Sequence, residues 1–226
     1  RSKDKKTGEY KTFTGNMSGL LIAEYILSQK KAKKQLPKNG ALISTIVSSN
    51  LAVAIAEEYK IKFIEVLTGF KYIGEQIRLF EETGSNEYLF GFEESYGCLV
   101  GTHARDKDAI TAVMMLCEAA AYYKKQGLTL WDQMINIYEK YGYYKEGIST
   151  ITLKGADGAV KIKELMETIR NNPPTSLGGL KVLRYRDYKK KTIIDSKTKK
   201  ETEEQLSIFE NQEGKKEDAN NDKSKK

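Results

Sequence analysis

Scarcity is the first guide to this chain. One histidine, His103, among 226 residues excludes any site built on several imidazoles, which removes most zinc hydrolases. Two cysteines, Cys98 and Cys117, are too few for a disulfide scaffold and lack the paired spacing of a zinc site, so both are expected to be reduced and structural. Long apolar runs are also missing. Ala41 to Val47 and Ala109 to Leu116 fall far short of the ~20 residues that cross a bilayer, and no charged-then-apolar leader opens the chain. A soluble, cytoplasmic protein with no membrane partner is the expectation. The three prolines, Pro37, Pro173 and Pro174, fall in connections rather than in apolar runs.

What is present supports a core. Hydrophobic residues make up 39% of the chain and charged residues 31%, enough for one ample domain or two small ones. The net charge of +7 raises nucleic acid as a partner, but the charge lies in the wrong place. Residues 1–40 carry ten basic against three acidic side chains and 181–226 fourteen against ten, leaving fourteen basic against eighteen acidic between them. A nucleic-acid face needs a basic stripe on the folded body with aromatics interleaved. The middle of this chain has the opposite sign, so no nucleic-acid partner is expected.

Apolar β-branched runs alternate with helical periods, the pattern of an α/β domain. Met17, Leu20, Leu21, Ala23, Ile26 and Leu27 share one face of a helix over 16–30. Ala41 to Val47 reads as a buried strand, and Ser49 or Asn50 can cap a helix through Tyr59. A strand over 61–66, a helix over 71–82 and a strand over 87–92 follow. Asp106 is positioned to cap a long helix from Lys107 to Gln126, and Thr129 with Asp132 forms a capping box for a helix to Tyr141. Ser149 to Leu153 reads as a strand and Val160 to Arg170 as a helix stopped at Asn171 to Pro174. Strands over 181–186 and 192–195 have nothing evident to pack on. From Asn211 to Lys226 no aliphatic residue is larger than Ala219, so that tail is expected to be disordered. The fold expected is a three-layer α/β domain with a mixed, mostly parallel sheet flanked by helices.

Ligands of open α/β sheets bind beyond the carboxyl ends of the strands, so the loops there carry the candidate chemistry. Thr68-Gly69-Phe70-Lys71 offers a glycine and the amides of a following helix. Gly91-Phe92-Glu93-Glu94-Ser95-Tyr96-Gly97 places two carboxylates and a hydroxyl at a strand end. An ionised carboxylate accepts hydrogen bonds in its plane and suits neighbouring sugar hydroxyls. His103-Ala104-Arg105-Asp106-Lys107-Asp108 sets cations before a helix, against its dipole, for which a bound anion would compensate. Each motif has a plain alternative: a capped turn, solvated acids, and a helix start stabilised by Asp106 and Asp108 themselves. Asp-Lys-Asp lacks the third carboxylate of a metal site. No Gly-x-Gly-x-x-Gly follows any expected strand, which argues against a dinucleotide-binding domain.

In this order and spacing the three motifs resemble the α-D-phosphohexomutase family, with the nearest likeness to its bacterial phosphoglucomutase branch. The likeness runs from Thr14-Gly15-Asn16 to about Asp187. It implies that the chain corresponds to the family's third, sugar-binding domain: residues 1–13 a hairpin or linker remnant, 14–180 the α/β domain, 181–210 the start of a connection to a fourth domain, and 211–226 the tail. It further implies that Glu93 and Ser95 bind sugar hydroxyls, that Thr68 and Gly69 contact substrate, and that Lys107 holds its phosphate or hydroxyl edge, with His103 and Arg105 beside them. Phe92 stands where many members have glycine, which leaves the sugar open among glucose, mannose and pentose phosphates.

The family's reaction passes a phosphoryl group between a phosphoserine and the sugar through a bisphosphate, here glucose 1,6-bisphosphate. It is assisted by Mg²⁺ held on a second domain. This chain contains no Ser-His-Asn-type phosphoserine loop, no aspartate-rich metal loop and no Arg-x-Ser-Gly-Thr phosphate loop. The resemblance therefore implies no catalytic residue and no metal ligand in this chain, with the other domains of the enzyme as its partners and a phosphosugar as its substrate. The alternative is a non-catalytic phosphosugar-binding or interaction module.

Overall fold

Strands that are apolar on both faces must be covered on both faces, and the central run of this chain is of that kind. The computed structural model describes residues 1–147, 150–188, 190, 192–195 and 201–203. These divide into two units, 1–146 and 147–226.

In the first unit a short antiparallel pair, β1 (Ser2–Lys3) and β2 (Tyr10–Lys11), precedes α1 (Gly15–Ala32). Then come β3 (Gly40–Thr45), α2 (Leu51–Tyr59), β4 (Lys62–Val66), α3 (Phe70–Thr83) and β5 (Glu87–Phe92). They are followed by β6 (Cys98–Val100), α4 (Ala109–Lys125) and α5 (Leu130–Tyr141). The sheet has the order β4-β3-β5-β6, with β3 parallel to both neighbours and β6 antiparallel to β5. All six residues of β3 are buried, as expected of a central strand. The mixed, mostly parallel sheet between helices is the architecture the sequence predicts.

Side-chain alternation assigns the two layers. Ala41 and Ile43 of β3 join Ile64, Val66, Tyr88 and Leu99 beneath α3, whose Phe70, Ile73, Ile77 and Phe80 complete that core. Leu42, Phe90 and Phe92 face the other way, against Leu20, Ile22, Leu51 and Ile55 of α1 and α2 and Met134 and Ile137 of α5. A register shift between β3 and β5 lies at Ala41/Leu42, and it puts Leu89 and Phe90 in the same core. Phe92 is fully buried, and its ring occupies the space a side chain at Gly19 would need. The aromatic residue at this position is therefore accommodated by a glycine on α1.

The structure corrects three local expectations. Residues 98–100 form β6, where no strand was expected, because three residues bracketed by Gly97 and Gly101 carry too short a pattern to read. The long helix consequently starts later, at Ala109, and its cap is Asp108 instead of Asp106. The Asp108 carboxylate accepts from the Ile110 N–H at 2.9 Å, and its own N–H donates to the Cys98 carbonyl at 2.8 Å, tying the helix to β6. Finally, Thr150–Leu153 form no strand. Leu153 lies against Gly158 in the first turn of the next helix, and no described strand offers it an edge; Ser149 is outside the described residues. Elsewhere capping follows the sequence. Thr129 and Asp132 make the reciprocal box, and Ser49, not Asn50, accepts from the Leu51 N–H at 3.3 Å.

The second unit contains α6 (Gly155–Asn171), a β7–β8 hairpin (Ser176–Leu177, Leu180–Lys181) and an antiparallel sheet of β9 (Arg184–Asp187), β10 (Thr192–Asp195) and β11 (Glu201–Glu203). The run 181–186, expected as one strand, is divided between β8, which pairs with β7, and β9, which pairs with β10 over 192–195. Within this unit Arg170 of α6 reaches Asp187 of β9 at 3.0 Å. Helix α6 falls within this second unit. The tail over 211–226 lies outside the described residues.

Candidate functional site

Strands β3, β4 and β5 run parallel, so the loops after Thr45, Val66 and Phe92 emerge at one edge of the sheet. Glu93 is the first residue past β5. Its N–H donates to the Gly97 carbonyl at 2.8 Å, which closes residues 93–97 into a tight loop. Glu93 is only 7% exposed, and its Oε1 accepts from the Gly69 N–H at 3.1 Å. Gly69 has φ +116° and ψ +126°, a backbone shape that side-chain-bearing residues avoid, which explains a glycine here. Phe70 then starts α3.

Burial pushes the Glu93 carboxyl above the usual range; the Gly69 amide and the Lys107 ammonium pull it back. Beneath the loop, burial and the Glu93 charge push the Cys98 thiol up to about 12, so Cys98 stays a neutral core residue. Lys107 comes from the segment before α4, and Gly97 lies between it and Glu93. A methyl on Gly97 would sit 2.6 Å from Glu93 Oε2, 3.2 Å from Lys107 Cδ and 3.4 Å from the Phe70 ring. The missing side chain at Gly97 is what lets acid, base and the α3 start converge.

Lys107 Nζ is 3.1 Å from Asp106 Oδ1. The Lys107 N–H and its ammonium hold the Asp106 carboxyl below its usual range. The two adjacent glutamates part company. Glu94 turns to the end of β3, where its Oε2 accepts from the Thr45 hydroxyl at 3.2 Å, and Thr45 in turn meets Ser48 at 2.9 Å.

Of the residues singled out from sequence, Gly69, Glu93 and Lys107 are brought together. Thr68 and Ser95 stand exposed on the same two loops. His103 and Arg105 lie on the Lys107 segment but face their own partners: His103 Nε2 meets Asp108 Oδ2 at 3.0 Å, and Arg105 pairs with Glu81 and donates to the Thr102 carbonyl at 2.7 Å.

Sequence reasoning missed two supports. Asn16 Oδ1 accepts from the Ser49 N–H at 3.1 Å, joining the α1 start to the loop after β3. Glu24 is 6% exposed and accepts from the Tyr59 hydroxyl at 3.0 Å and the Tyr141 hydroxyl at 2.9 Å, with Lys140 Nζ 3.6 Å away. The signal was readable: Glu24 sits on the helical face of Leu20 and Leu27, where a charge needs partners. Among the described residues no three His, Cys, Asp or Glu side chains are grouped to hold a metal ion, and no helix is long and apolar enough to cross a membrane.

The fold is an α/β domain with a candidate ligand edge at the carboxyl ends of its strands, where a buried glutamate is presented beside a lysine. Residues 14–141 match the family model for phosphoglucomutase/phosphomannomutase alpha/beta/alpha domain III. The phosphoglucomutase of Staphylococcus aureus strain N315 is 38% identical over 181 residues, covering 80% of this chain and 32% of that protein; that of strain MRSA252 is 37% identical with the same coverage. A crystal structure of the Paramecium phosphoprotein pp63/parafusin, a phosphoglucomutase in an open form, shares the fold. Its TM-score is 0.52 at 20% identity, over 88% of this chain and 32% of that one. The chain belongs to the phosphoglucomutase/phosphomannomutase family, as its alpha/beta/alpha domain III. It spans about a third of the length of the staphylococcal relatives it matches.

Proposed function

We propose that this chain is the sugar-recognition part of a phosphoglucomutase that interconverts glucose 1-phosphate and glucose 6-phosphate through a phosphoserine and glucose 1,6-bisphosphate. Glu93 and Ser95 would take the sugar hydroxyls, Thr68 and Gly69 would line the neighbouring edge, and Lys107 would hold a phosphate. His103 and Arg105, held by Asp108 and Glu81, would shape that edge and be released to the ligand only by breaking those pairs. The observation that carries this reading is the Glu93 carboxylate, oriented by the Gly69 amide and separated from Lys107 only by Gly97. A fixed acceptor beside a cation matches a ligand that is a polyol at one point and an anion at the next.

The proposed enzyme takes its Mg²⁺ from another domain. The residues present do not fit such a site, since Asp106 is held by Lys107 and Asp108 caps α4. A domain that orients the sugar without the phosphoryl donor supplies positioning alone, so the isolated chain is expected to bind and not to turn over.

Calorimetric titration with glucose 1,6-bisphosphate, set against a nucleotide and an acidic peptide, tests the reading. Binding of the bisphosphate alone, weakened but still measurable in Glu93→Gln, supports it. Preference for the acidic peptide would favour an interaction module instead, and enzyme-like turnover by the isolated chain would refute the proposed division of labour.

A further inference from the structure

We infer that Tyr96 and Gly15 are positioning residues: together they latch residues 94–96 to the start of α1 and thereby set where Glu93 and Ser95 stand. This deepens the proposed sugar-binding role and rests on it. Tyr96 has φ +70°, a left-handed conformation that costs a residue with a Cβ free energy and persists only where the surroundings impose it. Burial does not impose it, the residue being 62% exposed. The constraints lie elsewhere. The Tyr96 hydroxyl donates to the Phe13 carbonyl at 3.2 Å. The Glu94 carbonyl and the Tyr96 backbone nitrogen pack so closely on Gly15 that no methyl group fits between them. At the far side the loop is closed by Glu93 N–H to Gly97 O.

Glycine at position 15 is not explained by α1. The helix is already capped by Thr14, whose hydroxyl accepts from the Met17 N–H at 3.2 Å, and alanine would be the better helix former. The absent side chain answers the loop. With one end fixed on α1 and the other on Glu93 itself, the left-handed Tyr96 turns the chain so that Gly97 returns to Glu93 and Ser95 is left at the exposed tip. Neither positioning residue has to touch the ligand.

The test uses the whole chain in five forms: unaltered, Tyr96→Phe, Gly15→Ala, Glu93→Gln, and Tyr96→Phe with Glu93→Gln. Glucose 1,6-bisphosphate is titrated while loop amides are followed by NMR, with amide exchange over 93–97 and thermal melting measured on the free proteins. Tyr96→Phe is expected to leave melting unchanged, to speed exchange in the loop and to weaken binding about threefold to tenfold, the range of one lost hydrogen bond. In the Glu93→Gln background the same change is expected to cost distinctly less than in the native chain, because most of its effect passes through the glutamate and only the part carried by Ser95 remains. Gly15→Ala should disturb the same amides; if that variant does not fold, Tyr96→Phe decides. Unchanged loop exchange in Tyr96→Phe overturns the inference, as do additive losses in the double variant. If the unaltered chain binds no bisphosphate, the sugar-binding role falls, and the exchange comparison still upholds or overturns the latch.

Discussion

The Gly69 N–H donates to Glu93 Oε1 at 3.1 Å, so the carboxylate at the end of β5 is aimed by the loop at the end of β4. One oxygen is thereby committed to the protein, and Oε2 faces the Gly97 and Lys107 side.

A pH dependence follows from that environment. Burial holds the Glu93 carboxyl above the ordinary glutamate range, so a ligand that needs the ionised form is lost at a higher pH than with an exposed glutamate. Affinity for glucose 1,6-bisphosphate, followed from about pH 7 down to about pH 4, should fall as the raised pKa is crossed. Phosphate titration contributes to both proteins, so the relevant quantity is the difference between the native chain and Glu93→Gln. A constant difference across the series would contradict the expectation.

Gly97→Ala should separate the acid from the base. The added methyl would lie 2.6 Å from Glu93 Oε2 and 3.2 Å from Lys107 Cδ, and both side chains must move. We expect bisphosphate affinity to drop at least about tenfold, a cost of about 1.4 kcal/mol, with the far-ultraviolet circular dichroism spectrum unchanged. Retained affinity would mean that the convergence around Gly97 does not matter for binding.

The start of α4 depends on Asp108. Replacing it by alanine removes the acceptor for the Ile110 N–H and frees His103. A lost N-cap costs about 1 kcal/mol, measurable as a lower urea midpoint. Asp106→Ala, which removes no helix cap, should cost distinctly less; equal losses would place the cap elsewhere.

Glu24 governs a second pH effect, on stability. Burial raises its carboxyl pKa despite Lys140, Tyr141 and Tyr59. Between the unfolded and the higher folded pKa the native state binds more protons, so this group's contribution to stability falls as pH rises through that window. Glu24→Gln removes the effect. Urea unfolding of the two proteins across acidic pH should show the native chain losing stability relative to the variant as pH increases. A relative change of the opposite sign would show that the Tyr59, Tyr141 and Lys140 contacts outweigh desolvation.

The layers of the fold were legible because period and length agree in the long elements. The apolar face of α1 and the fully buried run of β3 admit one assignment each. The hairpin from β5 to β6 was not legible, since three residues between glycines carry no period, and the start of α4 was misplaced for the same reason: the Cys98 carbonyl, a tertiary partner, chooses Asp108 over Asp106 as the cap. At the site, residue types singled out the glycine turn at 68–69, the paired carboxylates at 93–94 and the cations at 103–107, and the family resemblance chose Gly69, Glu93 and Lys107 among them. They could not show that Glu94 turns away to Thr45, or that His103 and Arg105 face carboxylates of their own. Those outcomes depend on which loops lie next to one another, as does the latch of Tyr96 on Phe13.

The antiparallel return of β6 has an evolutionary corollary. Because it brings Glu93 and Lys107 to neighbouring positions through one short hairpin, substitutions confined to that excursion could retune which hydroxyl pattern is grasped while leaving the three parallel strands unaltered. Under the proposed sugar-binding role, divergence in preferred sugar is best sought between Phe92 and Asp108.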